Sequence, residues 1–152
     1  MAASLVDSIR VDDPGPSITA QDLQELEQEI GAGLPSTMTW MLLKYNGGRP
    51  TPKTFEVKGH PERLFDIQLF YGVTGDVECE TIGWNIREFP ELAEKGLVPF
   101  ARTDTGDQLL LDLHDGSVVF WDAMEEDPDQ RCYRIADDHA AFLTDLRTED
   151  YH

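Results

Sequence analysis

The side chains able to do chemistry in this chain are few and scattered. Four histidines, His60, His114, His139 and His152, make no HxxxH or HxH pair, and Cys79 and Cys132 make no CxxC, so the spacings that hold a transition metal are missing. Asp104, Asp107, Asp112 and Asp115 supply the clustered oxygens that a hard cation prefers. They lack the D-x-[DN]-x-[DN]-G-x5-E register, however, and they flank Gly106 and Gly116, where aspartate and glycine make hairpin turns. No spacing pairs Cys79 with a histidine, and a lone cysteine is a small hydrophobe before it is a nucleophile. Gly47-Gly48 and Gly31-x-Gly33 do not lie between a strand and a helix in the order a phosphate cradle needs, and no GxxxxGK[ST] is present. His139 falls on the apolar stripe of an expected helix, where a hydrogen-bonded core or boundary histidine is the expectation. Trp40, Trp84 and Trp121 read as core or boundary aromatics, and any one left exposed would act as an interface anchor. The residues therefore point to no catalytic group, no metal and no cofactor.

The elements that carry these residues follow from periodicity. Residues 1–17 contain Asp12-Asp13-Pro14-Gly15-Pro16, which favours turns and cannot continue a helix, so a loosely held N-terminal arm is expected, with 18–152 as a single domain. Thr19 and Asp22 form a capping-box pair ahead of a helix with Leu23, Leu26 and Ile30 on one face and Asp22, Gln24, Glu25, Gln28 and Glu29 on the other. Gly31 and Gly33 end it, Pro35 starts a second helix with Met38, Met41, Leu42 and Tyr45 at i, i+3, i+4 and i+7, and Asn46-Gly47-Gly48 stops that one. A short strand is expected over Thr54 to Val57. Leu64 to Tyr71 alternates as a half-buried strand with Phe65, Ile67, Leu69 and Tyr71 inward. Asp76 to Phe89 is expected as a helix, followed by a helical turn at Glu91 to Lys95. Leu97 to Ala101, Gln108 to Leu113 and Val118 to Trp121 are short apolar runs separated by turn residues at hairpin spacing, which predicts an antiparallel meander. A short edge strand at Cys132 to Ile135 and a last helix at Asp137 to Arg147, capped by Asp137, complete the chain. The fold class is α+β: a helix pair and a C-terminal helix packed on a mostly antiparallel sheet as one pair of layers.

Charge is the strongest compositional fact, with 30 acidic against 12 basic residues and a formal net charge of −18. Such a surface repels nucleic acid and anionic membranes and attracts basic proteins, although excess acid also keeps a protein soluble without any partner. No apolar run approaches the roughly 20 residues of a membrane span. The first residues lack the cationic start and unbroken apolar stretch of a secretory signal, so reduced thiols and a cytoplasmic location are expected.

Ile18-Thr19 leading to Leu26-Glu27, then Leu34-Pro35, then Tyr45-Asn46-Gly47-Gly48, resembles the N-terminal signature of the SUKH superfamily. Val98-Pro99-Phe100-Ala101, Gly106-Asp107-Gln108-Leu109-Leu110-Leu111-Asp112 and Val118-Val119-Phe120-Trp121-Asp122 resemble its second block, so the likeness runs from Ile18 to Leu146. It implies an α+β fold without catalytic residues. Bacterial members are typically immunity proteins that bind and block toxin domains, often nucleases, and fungal relatives include a regulator of cell-wall assembly. The expectation is a cytoplasmic monomer or weak homodimer that neutralises a basic toxin domain, the alternative being a regulatory or scaffolding module. Under the first, the contact set is Asp104, Asp107, Asp112, Asp115, Asp122, Glu125, Glu126, Asp127 and Asp129, each of which is equally explained by turn chemistry or a solvated charge run.

Overall fold

The computed structural model describes Leu5 and residues 7–148; His152 lies outside the described residues, as do the other ends of the expected arm and domain. In chain order the elements are β1 (Arg10–Asp12), α1 (Ala20–Ile30), α2 (Ser36–Tyr45), β2 (Arg49–Thr51), β3 (Thr54–Glu56), β4 (Leu64–Phe70), α3 (Ile82–Glu88), α4 (Pro90–Glu94), β5 (Leu97–Thr103), β6 (Gln108–Asp112), β7 (Val118–Trp121), β8 (Cys132–Ala136) and α5 (His139–Thr144). Strands β3 to β8 pair in sequence order into one six-stranded sheet, every neighbour antiparallel. The helices are segregated from the strands, so the class is α+β.

Local chemistry sets the boundaries. Thr19 accepts from the Asp22 amide while the Asp22 carboxylate accepts from the Thr19 amide, the capping box expected at the start of α1. Leu23 and Leu26 are buried beneath it, and Met38, Met41 and Leu42 beneath α2. Two helices differ from expectation. Helix α3 begins only at Ile82, because Thr81 caps it by accepting from the Trp84 amide, and Glu78–Glu80 forms a single 3-10 turn. Helix α5 is capped by Asp138 rather than Asp137 and ends at Thr144, because Arg147 turns away to exchange backbone hydrogen bonds with Thr54. The stripe predicted for it, His139, Phe142, Leu143 and Leu146, is buried throughout.

The sheet is covered on both faces. Leu109, Leu111, Val118 and Phe120 face the main core under α1, α2 and α5. Leu110 and Val119 point the other way, into a smaller core with Leu92 and Leu97 that Phe89 and Trp121 edge. A single pair of layers is thus corrected to a main pair plus a thin cover from α4. The uninterrupted Leu109-Leu110-Leu111 run is the signature of a strand buried on both sides, which periodicity alone cannot distinguish from other buried segments.

Part of the expected arm is held against the domain. Ile9 and Val11 are buried in the main core, and β1 pairs antiparallel with β2, Val11 opposite Pro50. What holds the following turn is Asn46. Its backbone is left-handed (φ 53°) at the end of α2, and its buried amide donates to the carbonyls of Pro16 (2.7 Å) and Thr74 (3.1 Å) while accepting from the Val73 amide (2.7 Å). Gly15 and Gly72 close around it so tightly that a Cβ at either would lie within 2.6 Å of the Asn46 carbonyl oxygen. The Asn-Gly-Gly stretch therefore ends a helix and also ties the arm and the 72–74 loop to it.

Candidate functional site

An antiparallel meander sends alternate turns to opposite ends of its sheet. The β5–β6 turn and the β7–β8 loop share one end, and the β6–β7 turn lies at the other. Asp104, Asp107, Asp122, Glu125, Glu126, Asp127 and Asp129 therefore gather together, whereas Asp112 ends β6 and Asp115 lies in the turn after it, about 13 Å away along a five-residue strand. The nine acids do not form one patch.

Within the larger group two are internal. Asp107 is 1% exposed; one carboxylate oxygen accepts from the Thr103 hydroxyl (2.9 Å) and the Thr105 hydroxyl, and the other accepts from the Ala123 amide (3.0 Å). It thereby fastens the β5–β6 turn to the β7–β8 loop. Asp122 is 8% exposed, with one oxygen 2.8 Å from His60 Nε2 and the other accepting from the Met124 amide (2.9 Å). Because His60 Nδ1 accepts from the Glu62 amide, Nε2 carries the proton and donates to Asp122. Burial works to raise the Asp122 carboxyl, but the His60 bond and the Met124 amide outweigh it and hold the group below the usual range. The His60 ring is packed edge-on against Phe65 (5.0 Å) and Phe120 (5.8 Å), with Tyr133 at 5.3 Å. These groups are turned inward and position the loop.

The rest of the loop is held in shape and turned outward. Arg131 lies over the Trp121 ring at 5.4 Å and donates through Nε to the Glu125 carbonyl (2.6 Å), and Asp127 accepts from the Asp129 amide (3.0 Å) to open a 3-10 turn. Asp104, Glu126, Asp127 and Asp129 are exposed and Glu125 is half-buried. Met124, 79% exposed, stands among them. At the opposite end Asp112 accepts from the His114 amide, and Asp115 accepts from Ser117, a bond that lowers its carboxyl, as turn residues do.

The remaining candidates resolve as packing. His139 is buried, its Nδ1 2.6 Å from the Thr37 hydroxyl and its ring edge-on to Phe100; burial lowers its pKa to about 4, so it is neutral. Cys79 is half-buried and Cys132 exposed, both free thiols. Among the described residues no group of three or more His, Cys, Asp and Glu could hold a metal ion. A cavity of about 380 Å³ beside Asn46 and Gly48 is lined by Asp13 and Glu80, which face Arg49 (3.6 Å) and Arg102 (3.5 Å). No helix among the described residues is long and apolar enough to cross a membrane. Sequence reasoning missed the His60–Asp122 pair, whose members are 62 residues apart with no local signal, and also missed Met124, a lone apolar residue in an acidic run.

These features define a small α+β domain in which Asp107, Asp122, Asp112 and Asp115 serve turns and internal ties while Asp104, Glu126, Asp127 and Asp129 lie exposed. The chain belongs to the SMI1/KNR4 family (SUKH-1), whose model matches residues 17–145. A relative, the SPbeta prophage-derived uncharacterized protein YokK of Bacillus subtilis (strain 168), is 28% identical over 153 residues, covering 88% of this chain and 78% of its own length.

Proposed function

We propose that this chain is a cytoplasmic immunity protein that binds a cognate toxin domain, foremost a basic nuclease, and neutralises it by covering its working surface without catalysis. The observation that carries the reading is the net charge of −18 together with an acidic end of the sheet that is fixed before any partner arrives. A nuclease must present cations to its polyanionic substrate, and an acidic protein competes for that surface with fast, electrostatically steered association. Fixing the loop through Asp107, Asp122 and Arg131 reduces the ordering entropy lost on binding.

The test has two stages. The chain is first recovered from its native host, and its partner is identified and purified. Association is then measured for Glu126→Lys and Asp129→Lys combined, leaving the Asp127 cap in place. Both side chains are exposed, so the variant should fold normally, while its association rate at low salt falls at least about tenfold and its salt dependence flattens. An unchanged rate and salt slope would remove this end of the sheet from the interface. A native partner that is neither basic nor toxic would favour the regulatory or scaffolding alternative.

A further inference from the structure

The outer face of α2 is the surface that the fold leaves unexplained. Helix α1 turns Gln24, Glu25, Gln28 and Glu29 to solvent, as an amphipathic surface helix should. Helix α2 buries Thr37, Met38, Met41 and Leu42 on its inner side, yet turns Trp40 and Leu43 outward, 50% and 44% exposed. Three residues apart, they lie one above the other on the same face. In a chain with 30 acidic residues among 152, Ser36–Tyr45 contains none. The outer side also carries Ser36 and Lys44, so the helix is not apolar all round, yet Trp40 and Leu43 stand on it as an exposed apolar pair.

What surrounds the pair identifies the occupant. Past Leu43, Lys44 is drawn to Asp7 by an ion pair. At the other end the Thr37–His139 bond sets the start of α2 against α5, where Asp137 and Asp138 are exposed. One flank is therefore a neutral Lys44–Asp7 pair, and the other, where Asp137 is shared with Arg134 (3.3 Å) beside Asp138, is net negative, within a chain whose net charge is −18. A second copy of this chain would bring like-charged flanks together, each copy carrying −18, which disfavours self-association. The two side chains expose on the order of 200 Å², against roughly 800 Å² per partner in a stable interface, so they serve as its anchor and not its whole extent.

We propose that Trp40 and Leu43 form the apolar anchor of the interface with a second protein whose docking face is an apolar recess ringed by lysine and arginine. The inference rests on the reading of this chain as the binder of a basic partner, and it divides the labour: the acidic exterior sets the rate of encounter, and the α2 face sets the lifetime of the complex.

The test uses the full chain and, as probe, the basic protein that co-purifies with it from its native host. Trp40→Ala with Leu43→Ala should lower the urea midpoint only modestly, since about half of each side chain is already exposed, and should raise the dissociation rate about a hundredfold with association altered less than threefold. Trp40→Phe should recover most of the lifetime, and the chain alone should sediment as a monomer. If the partner is basic and slowed by charge reversal at Glu126 and Asp129 but dissociates equally fast from wild type and the double variant, the anchor is refuted and the immunity reading stands. If the chain alone is a dimer that Trp40→Ala dissociates, the occupant is a second copy and the proposal is overturned. A partner that is lost on Trp40→Ala but is not basic overturns both the ringed recess and the immunity reading, as does the absence of any partner.

Discussion

Lowering the pH from 7.5 to 5 should remove about 2 kcal/mol of stability through one side chain, His139. The imidazole is enclosed by the main core, between Phe100 and the Thr37 hydroxyl, and burial lowers its pKa from 6.5 to about 4. Because the folded pKa lies below the unfolded one, the unfolded chain takes up the proton first as the pH falls. The contribution is therefore complete above about 6.5 and is lost progressively toward about 4. At pH 5 roughly 1.5 pH units of that window have been crossed, at about 1.4 kcal/mol per unit. The assay is urea unfolding followed by circular dichroism at the two pH values, for wild type and His139→Gln. Glutamine keeps a polar group for Thr37 and removes the titration. Carboxylates of the unfolded chain titrate mainly below pH 5, and relief of the charge repulsion on acidification is common to both proteins, so the difference between their losses isolates the imidazole. The variant should lose at least about 1.5 kcal/mol less than wild type on acidification. Equal losses would refute the argument that this histidine is held neutral by burial.

Asn46→Ala should destabilise the protein by about 3 kcal/mol, since it leaves the Pro16 and Thr74 carbonyls and the Val73 amide without their partner and puts alanine at a left-handed position. Denaturant unfolding checks the magnitude, and faster amide exchange at Val73 checks the cause. Asp107→Asn should lower stability by about 1–3 kcal/mol, because a carboxylate accepting three hydrogen bonds becomes an amide that can accept fewer. Its sharper signature is faster exchange of the Ala123 amide, the link between the β5–β6 turn and the loop that follows β7.

Much of the fold was legible because it was written locally. The capping box of Thr19 and Asp22, the α2 stripe, the inward residues of β4 and the three meander strands all depend on neighbours within four positions, and each formed where the pattern placed it. Where a competing local partner existed, the reading slipped: Asp138 displaced Asp137 as the cap of α5, and Thr81 delayed the start of α3. The short alternation of Ile9 and Val11 carried too little signal to be read as a strand before β2 was there to pair with it. Of the acidic residues, sequence could say that they were turn formers or surface charges, but it could not say which.

The sequence by itself determined the net charge of −18, the order of the five described helices and of the six strands of the main sheet, the capping box of α1 and the family to which the chain belongs. Those are sums over composition or interactions between near neighbours, so no coordinates are needed to obtain them. Only the tertiary structure decided that Asp107 and Asp122 are interior ties, that Asp112 and Asp115 lie at the wrong end of the sheet to join the others, and that Trp40 faces water. The reason is that exposure and pairing belong to positions in space. His60 finds Asp122 across 62 residues only after two loops close over the same aromatic cluster, and the direction in which a meander sends each turn exists only once its strands have paired.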